Sequence, residues 1–301
     1  MSNATTAKPT TVVTATVLDR RRLSPSFARV TLGGEGLSRF AYQGYDQWFR
    51  LFIPPGDEGR MPLPADGQAD GWYAEHQAAP EERRNWMRYA TVAGVRPEVG
   101  TGDGTAAGPL RVTEMDVDVV VHGEPGDPGS GPLSTWAQTA AVGDRVALLD
   151  QGTIFRPDQV RGDVLLIGDE TAVPAIAGIL RRLGPRVRGH AFLEVPYAED
   201  VQELSGPGAV KVAWLPRHGV AEVPGQRLLD TVRYHLSNGR ASTAQATGGE
   251  AQGADAPYVY AAGEMKLTKA LNQLLRQERD WPKELLTVVG YWHFQGGGEL
   301  R

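Results

Sequence analysis

The chain reads as two successive folds, a small antiparallel β-barrel followed by a doubly wound parallel α/β sheet. Three observations predict this. In the first half, to about Leu149, the apolar runs are short and many alternate with polar residues. Met115, Val117, Val119 and Val121 interleave with Asp116, Asp118 and Val120, the period of a half-buried antiparallel strand. Beyond about Arg161 the apolar runs become continuous, as in Val164-Leu165-Leu166-Ile167, and helical stretches separate them. That pattern describes a parallel sheet buried on both faces. The length, 301 residues, accommodates two domains.

Taken in order, strands are predicted over 11–19, 27–33, 48–53, 89–94, 113–121 and 145–149, with one short helix over 132–141. Many short strands joined by Gly/Pro turns indicate a barrel. The second half places strands at 164–167, 189–195, 210–214, 258–261 and 286–289, and helices at 173–183, 228–236 and 265–279. The join runs through 151–162, which divides the chain into domains at 11–155 and 160–301. Segments 54–84 and 99–109 read as loops rich in Pro, Gly and charge. Segment 238–256 has almost nothing to bury and is expected to be a flexible loop or flap.

Composition narrows the function. The net charge is -5, so no basic face advertises nucleic acid or an acidic membrane. There is no cysteine, hence no disulfide framework, thiolate metal site or cysteine nucleophile. The histidines lack ligand spacing with acids or with each other, so no metal site is expected. No apolar run is long enough to span a bilayer, and the polar N-terminus lacks a signal core. The expected location is the cytoplasm.

The most informative stretch is Val164 to Ile176. A buried strand ends at Gly168, and Asp169, Glu170, Thr171 and Ala172 lead into a helix with Pro174 in its first turn. Open α/β sheets bind ligands at such strand ends. A phosphate-cradling turn, however, uses glycines and bare N–H groups. Two carboxylates there are expected to weaken a nicotinamide dinucleotide site by repulsion, and replacing Glu170 by Gly to strengthen it. The same acids serve equally well as a helix-capping pair that binds nothing.

Further segments combine with this one. Asp118-Val119-Val120-Val121-His122-Gly123 is followed by Gly131-Pro132-Leu133-Ser134-Thr135-Trp136-Ala137. Ala213-Trp214-Leu215-Pro216-Arg217 comes next, and then Ala262-Gly263-Glu264 with Gly290-Tyr291-Trp292 near the end. In this order, over nearly the whole chain, they resemble the siderophore-interacting protein family of FAD-dependent ferric-siderophore reductases, related to ferredoxin reductases. The resemblance implies an FAD-binding barrel, an NAD(P)-binding-like α/β domain, and NAD(P)H or ferredoxin as electron donor. The substrate it implies is a ferric siderophore or another small molecule.

The resemblance also assigns residues. Met87-Arg88-Tyr89-Ala90-Thr91 is similar to the family's Arg-x-Tyr-Thr strand, whose Arg reaches the FAD diphosphate and whose aromatic lies against the flavin ring. Here Arg88 and Thr91 keep the spacing, Ala90 stands at the aromatic position, and Tyr89 comes one residue early. A one-residue shift changes the face of a strand, so Tyr89 reaches the flavin only if a bulge resets the register. His122, Gly123, Gly131, Ser134 and Thr135 correspond to the diphosphate cradle at a helix start. The cofactor-facing turn is Asp169 to Ala172. Anionic ferric chelates call for cations, and the candidates are Arg50, Arg217, Lys266, Lys269 and His293. No catalytic side chain is implied, because the flavin carries the redox chemistry.

Each of these residues has a plainer use: an exposed strand arginine, a Ser/Thr cap, a solvated lysine face. Two other functions also fit the chain. One is a family-like enzyme repurposed for a biosynthetic step, with FAD structural or lost. The other is a flavin-bearing carrier that binds the chelate without fast reduction.

Overall fold

The computed structural model describes residues 12–54, 61–64, 71–97, 111–127, 129–217, 219, 223–238 and 256–294. The loop expected at 99–109, and all but the ends of that expected at 238–256, lie outside these residues. The described chain forms two compact units, one ending at Thr153 and the other beginning at Ile154 and including Ser24–Ser26.

In the first unit β1 (Val12–Ser24), β2 (Phe27–Gly33), β3 (Trp48–Ile53), β4 (Trp86–Pro97), β5 (Val112–Val120) and β6 (Arg145–Gly152) close a barrel in the order β1-β2-β5-β4-β3-β6. The pairings of β2 with β5, β5 with β4, β4 with β3, β3 with β6 and β6 with β1 are antiparallel. The alternation in β5 is realised. Met115, Val117 and Val119 enter the barrel core with Val30, Leu32, Phe49 and Leu51. Asp118 turns the other way and accepts two bonds from Arg29, at 2.6 and 2.7 Å. Asp116 takes a bidentate pair from Arg96, at 3.0 and 2.8 Å. Helix α2 (Gly131–Thr139) follows β5, as expected.

The segment 54–84 is not wholly loop. It contains a short helix, α1 (Trp72–Ala78), entered through Gly71 at φ 89°. Only seven residues long, it carries too little periodicity to stand out in the sequence. Tertiary contact holds it: Phe52, on the outer wall of β3, packs edge-on against Trp72 at 4.9 Å and His76 at 5.0 Å.

In the second unit β7 (Asp163–Gly168), β8 (Arg188–Val195), β9 (Val210–Pro216), β10 (Tyr258–Glu264) and β11 (Leu286–Trp292) form a parallel sheet ordered β11-β10-β7-β8-β9. One face, with Leu165 and Ile167, packs on α4 (Gln226–Asn238) and α5 (Met265–Gln273). The other face receives α3 (Val173–Arg182). A Cβ at Gly168 would sit 2.6 Å from the Ala172 Cβ and 2.8 Å from the Ile176 Cδ1, so glycine is what lets this helix start so close to the strand. The helix expected over 265–279 passes into a π-helical turn at Leu274–Glu278, where Leu274 and Leu275 are both buried. Strand order reverses between β7 and β10, which puts the topological switch point beyond Gly168 and Glu264. No helix among the described residues is long and apolar enough to cross a membrane.

At the other end of this sheet the rings of His190 of β8 and His235 of α4 lie 4.3 Å apart, tilted by 58°, and His190 stacks on Phe192 at 5.9 Å. Burial holds both imidazoles below their ordinary value of 6.5, helped at His190 by His235 and Lys211. A depressed folded-state value means that the unfolded chain binds protons first. The stability these groups provide is therefore present above the unfolded value and lost as pH falls below it. This pair should lower the melting temperature of the α/β unit at about pH 5.5 relative to about pH 7.5, and His235→Phe should remove part of that contribution. An unchanged slope in the variant, by calorimetry, would exclude the pair as its cause.

Candidate functional site

The register of β3 against β4 organises the barrel site. It runs unbroken from Trp48 opposite Thr91, through Arg50 opposite Tyr89, to Ile53 opposite Trp86. Directly opposed residues share a face. Trp48, Arg50, Tyr89 and Thr91 therefore stand together on the outer wall, while Phe49 and Leu51 enter the core and Ala90 packs against it. The bulge that would move Tyr89 onto the face of Ala90 is absent from this pairing; the nearest irregularity in β4 falls against β5, between Val92 and Gly94. The expected set accordingly divides. Tyr89 and Thr91 come together with Arg50, whereas Arg88, opposite Leu51, is exposed and donates to the Met87 carbonyl at 2.8 Å.

Tyr89 is 56% exposed, and its ring meets Trp48 edge-on at 5.3 Å. The Arg50 guanidinium lies 5.0 Å over the Tyr73 ring, a cation–π contact. Three buried polar atoms here have no hydrogen-bond partner among the described residues: Trp48 Nε1, Arg50 Nε and Gln151 Oε1. Buried polar groups are almost always bonded, so this wall suits a ligand bearing both acceptors and a donor, as a flavin ring does. Sequence reasoning found Arg50 and Tyr89 but missed Gln151 and passed over Trp48. The available signal was the spacing of Trp48 and Arg50 on one strand face.

Beyond β5, the Ser134 hydroxyl accepts from His122 N and donates to His122 O, both at 3.0 Å. It also accepts from Ser130 and Gln138. Ser134 thus fastens the strand end to α2, and its hydroxyl is committed internally, contrary to the expectation that it offers itself to a phosphate. Thr135 donates to Ser130 Oγ at 3.2 Å. Gly123 and Gly131 adopt φ of 65° and 68°, and no side chain caps the start of α2. His122 is held below its ordinary value by burial, with a backbone bond at Gly129 opposing. The glycines and the uncapped helix start fit a diphosphate.

The α/β crevice is built otherwise. Asp169, fully buried, accepts from Thr171 N at 2.9 Å and Thr171 Oγ1 at 2.5 Å on one oxygen. Its other oxygen accepts from Glu264 N at 2.7 Å and Trp292 Nε1 at 2.9 Å. The carboxylate therefore ties β7 to β10 and β11 across the switch point. A Cβ at Gly263, φ 146°, would collide with it. Burial and the charge of Glu170 push Asp169 up to about 7, against the pull of these donors. Glu170 forms a bidentate pair with Arg217, at 2.9 and 2.7 Å. Arg217 also donates to Glu194 at 2.9 Å, and Glu194 accepts from Gly225 N and Leu228 N at the start of α4.

Two expectations change here. Asp169 and Glu170 do not project charge at a ligand; both are consumed inside the fold. Arg217, only 4% exposed, is no free cation for an anionic chelate, because two carboxylates already hold it. Thr171 N and Glu264 N, the N–H groups at the switch point, already serve Asp169. Ala172 is buried beneath α3. The turn does not fit a diphosphate.

Lys266 and Lys269 are exposed on α5. Lys269 lines a cleft of about 300 Å³ with Arg276 and Lys283. His293 stands 3.6 Å from Glu264 Oε1, with 44% of its side chain exposed. Among the described residues no cluster of three or more His, Asp or Glu could hold a metal ion.

Both halves of the chain match known proteins. Residues 16–153 match the model of the siderophore-interacting FAD-binding domain, and residues 162–295 that of the siderophore-interacting protein. The ferric vibriobactin reductase ViuB of Vibrio cholerae is 29% identical over 277 residues, covering 91% of this chain and 86% of its own. An uncharacterised protein of Mycobacterium tuberculosis is 36% identical over 220 residues, 71% of this chain and 69% of its own. The crystal structure of a siderophore utilization protein from T. fusca superimposes with a TM-score of 0.66 at 25% identity, covering 96% of this chain and 95% of that one. With both domain models matched in order, the chain belongs to the siderophore-interacting protein family.

Proposed function

We propose that this protein reduces the iron of a ferric siderophore with electrons passed through FAD, releasing ferrous iron. The observation that carries the reading is the outer wall of β3, β4 and β6, where Trp48, Arg50 and Gln151 leave polar atoms unpaired beside the exposed Tyr89 ring. The likeness to a ferric vibriobactin reductase over most of both chains supports the substrate class. FAD, when bound, supplies the chemistry of accepting an electron pair and giving up single electrons.

The protein's own residues then bind and orient. The outer wall holds the ring, and Gly123, Gly131 and the uncapped start of α2 hold the diphosphate. Lys266 and Lys269 supply positive charge toward an anionic chelate. No side chain needs to move a proton for iron to be reduced, and hard oxygen donors hold Fe(II) far less tightly than Fe(III). The electron donor is a nicotinamide dinucleotide or a ferredoxin. The carboxylate-locked turn after β7 makes reduction by NADPH weak or slow.

The test is spectroscopic. The purified protein should show flavin bands and release FAD on denaturation. When photoreduced under argon, it should be reoxidised by a ferric chelate as a ferrous trap develops colour. A protein that takes up no FAD refutes the reading and favours a repurposed enzyme, to which Ala90 at the family's aromatic position already points. Reduced flavin that leaves the chelate ferric reassigns the protein as a carrier.

A further inference from the structure

Of the four buried unpaired side-chain atoms on the described barrel strands, Asp150 Oδ2 lies opposite Phe49, and the other three form a pattern. In β6, Asp150 pairs with Phe49 and Gly152 with Trp48, so Gln151 is the extra residue of a bulge. Bulges re-aim side chains. The Gln151 amide is pinned by its own strand, Nε2 donating to Asp150 O at 2.8 Å and Leu149 O at 3.4 Å, which leaves Oε1 unused. Leu149 lies opposite Arg50 and belongs to the cluster on the outer wall. Gln151 is inserted between Asp150 and Gly152, the partners of Phe49 and Trp48, and so lies beside Trp48 on the adjacent strand. An indole has only one polar hydrogen to give, on Nε1. At Trp48 that hydrogen has no acceptor among the described residues, and neither does the Nε of Arg50. Two donors and one acceptor thus occupy neighbouring positions on adjacent strands, next to an aromatic ring that is more than half exposed.

We propose that Trp48, Arg50 and Gln151 read the pyrimidine edge of the isoalloxazine. Trp48 Nε1 and Arg50 Nε donate to its two carbonyls, and Gln151 Oε1 accepts from the N3–H between them. This rests on the flavin reading above. The match is chemical. That edge presents acceptor, donor, acceptor, and the wall presents the complement. Tyr89, which lies against the Trp48 indole, turns about its own side-chain bonds to uncover it and offers its ring to the flavin plane. The arrangement also accounts for Ala90: the aromatic surface comes from Tyr89 and Trp48 on the other strand face.

The experiment titrates flavin-free protein with FAD, with lumiflavin, which lacks the diphosphate tail, and with N3-methyl-lumiflavin, all followed by flavin fluorescence. Lumiflavin should bind the wild type roughly tenfold more tightly than its N3-methyl derivative, the loss expected for one hydrogen bond with a buried acceptor left unpaired. Gln151→Met should abolish that difference. Trp48→Phe should weaken FAD and lumiflavin by roughly tenfold. It should also lower the flavin's midpoint potential, since a donor at a pyrimidine carbonyl favours the electron-rich reduced ring.

Equal binding of lumiflavin and its N3-methyl derivative to the wild type would overturn the proposal without recourse to any variant, and so would no lumiflavin binding at all. A folded Trp48→Phe protein with unaltered FAD affinity and potential would overturn it too. If the wild type binds FAD and these differences are flat, only this inference fails. If the wild type binds no FAD, the functional reading fails with it.

Discussion

Arg217→Ala is expected to destabilise the α/β unit by about 3–5 kcal/mol, because it strands two buried carboxylates at once. Glu170 and Glu194 are 5% and 0% exposed, and Arg217 is the cation that both contact. Glu194 also accepts the N–H groups of Gly225 and Leu228 that begin α4. Loss of its partner therefore loosens a helix as well as an ion cluster. Against a total of about 5–15 kcal/mol for an ordinary domain, this is a large fraction, readable as a fall of about 10 °C in melting temperature.

The same geometry reverses the expectation for Glu170→Gly. Removing that carboxylate does not clear a dinucleotide site; it takes a bidentate partner from Arg217 and should cost stability. Nicotinamide affinity should show no gain. An Arg217→Ala protein melting within about 2 °C of wild type would show that the cluster contributes little net energy. Tighter nicotinamide binding in Glu170→Gly would restore the repulsion argument.

Asp169→Asn is expected to cost about 2–4 kcal/mol. The substitution preserves shape, yet an amide group now faces donors. Whichever way the side chain lies, its NH₂ meets either the Thr171 N–H and hydroxyl or the N–H groups of Glu264 and Trp292. Two bonds are lost in either case, and the melting temperature should fall accordingly.

A pH signature accompanies this. Asp169 sits above its ordinary carboxyl value, at about 7. For a raised folded-state value, the associated stability is full below the unfolded value and is lost as pH rises through the folded one. Wild type should therefore lose stability from this group as pH rises through about 7, opposite in sign to the His190–His235 pair, and Asp169→Asn should lack that component. An unchanged slope in the variant as pH rises to about 7 would show that the four donors keep Asp169 ionised throughout.

Much of the architecture could be read from periodicity. The strands at 27–33 and 48–53 begin and end where the alternation does, and the parallel sheet follows from runs such as Val164–Ile167. Burial on one or two faces imposes a period that local sequence displays directly. Helix α1 escaped because Trp72 and His76 gain their meaning only from Phe52, on a strand some 20 residues earlier. The π-helical turn escaped because Leu274 and Leu275 continue an ordinary apolar pattern.

The site was legible in part. Tyr89, Thr91, Arg50 and the glycines of the α2 cradle were identifiable, and the register brings the first three together. Periodicity alone establishes that a barrel precedes a parallel sheet, and which strand ends carry polar chemistry. Which of those polar groups are free follows from packing between distant segments. Arg217 meets Glu170 across 47 residues, and Asp169 meets Glu264 and Trp292 across 95 and 123. A charge is available to a ligand only if nothing in the fold has already neutralised it. That depends on partners brought close by strand order, which a local pattern of residues does not encode.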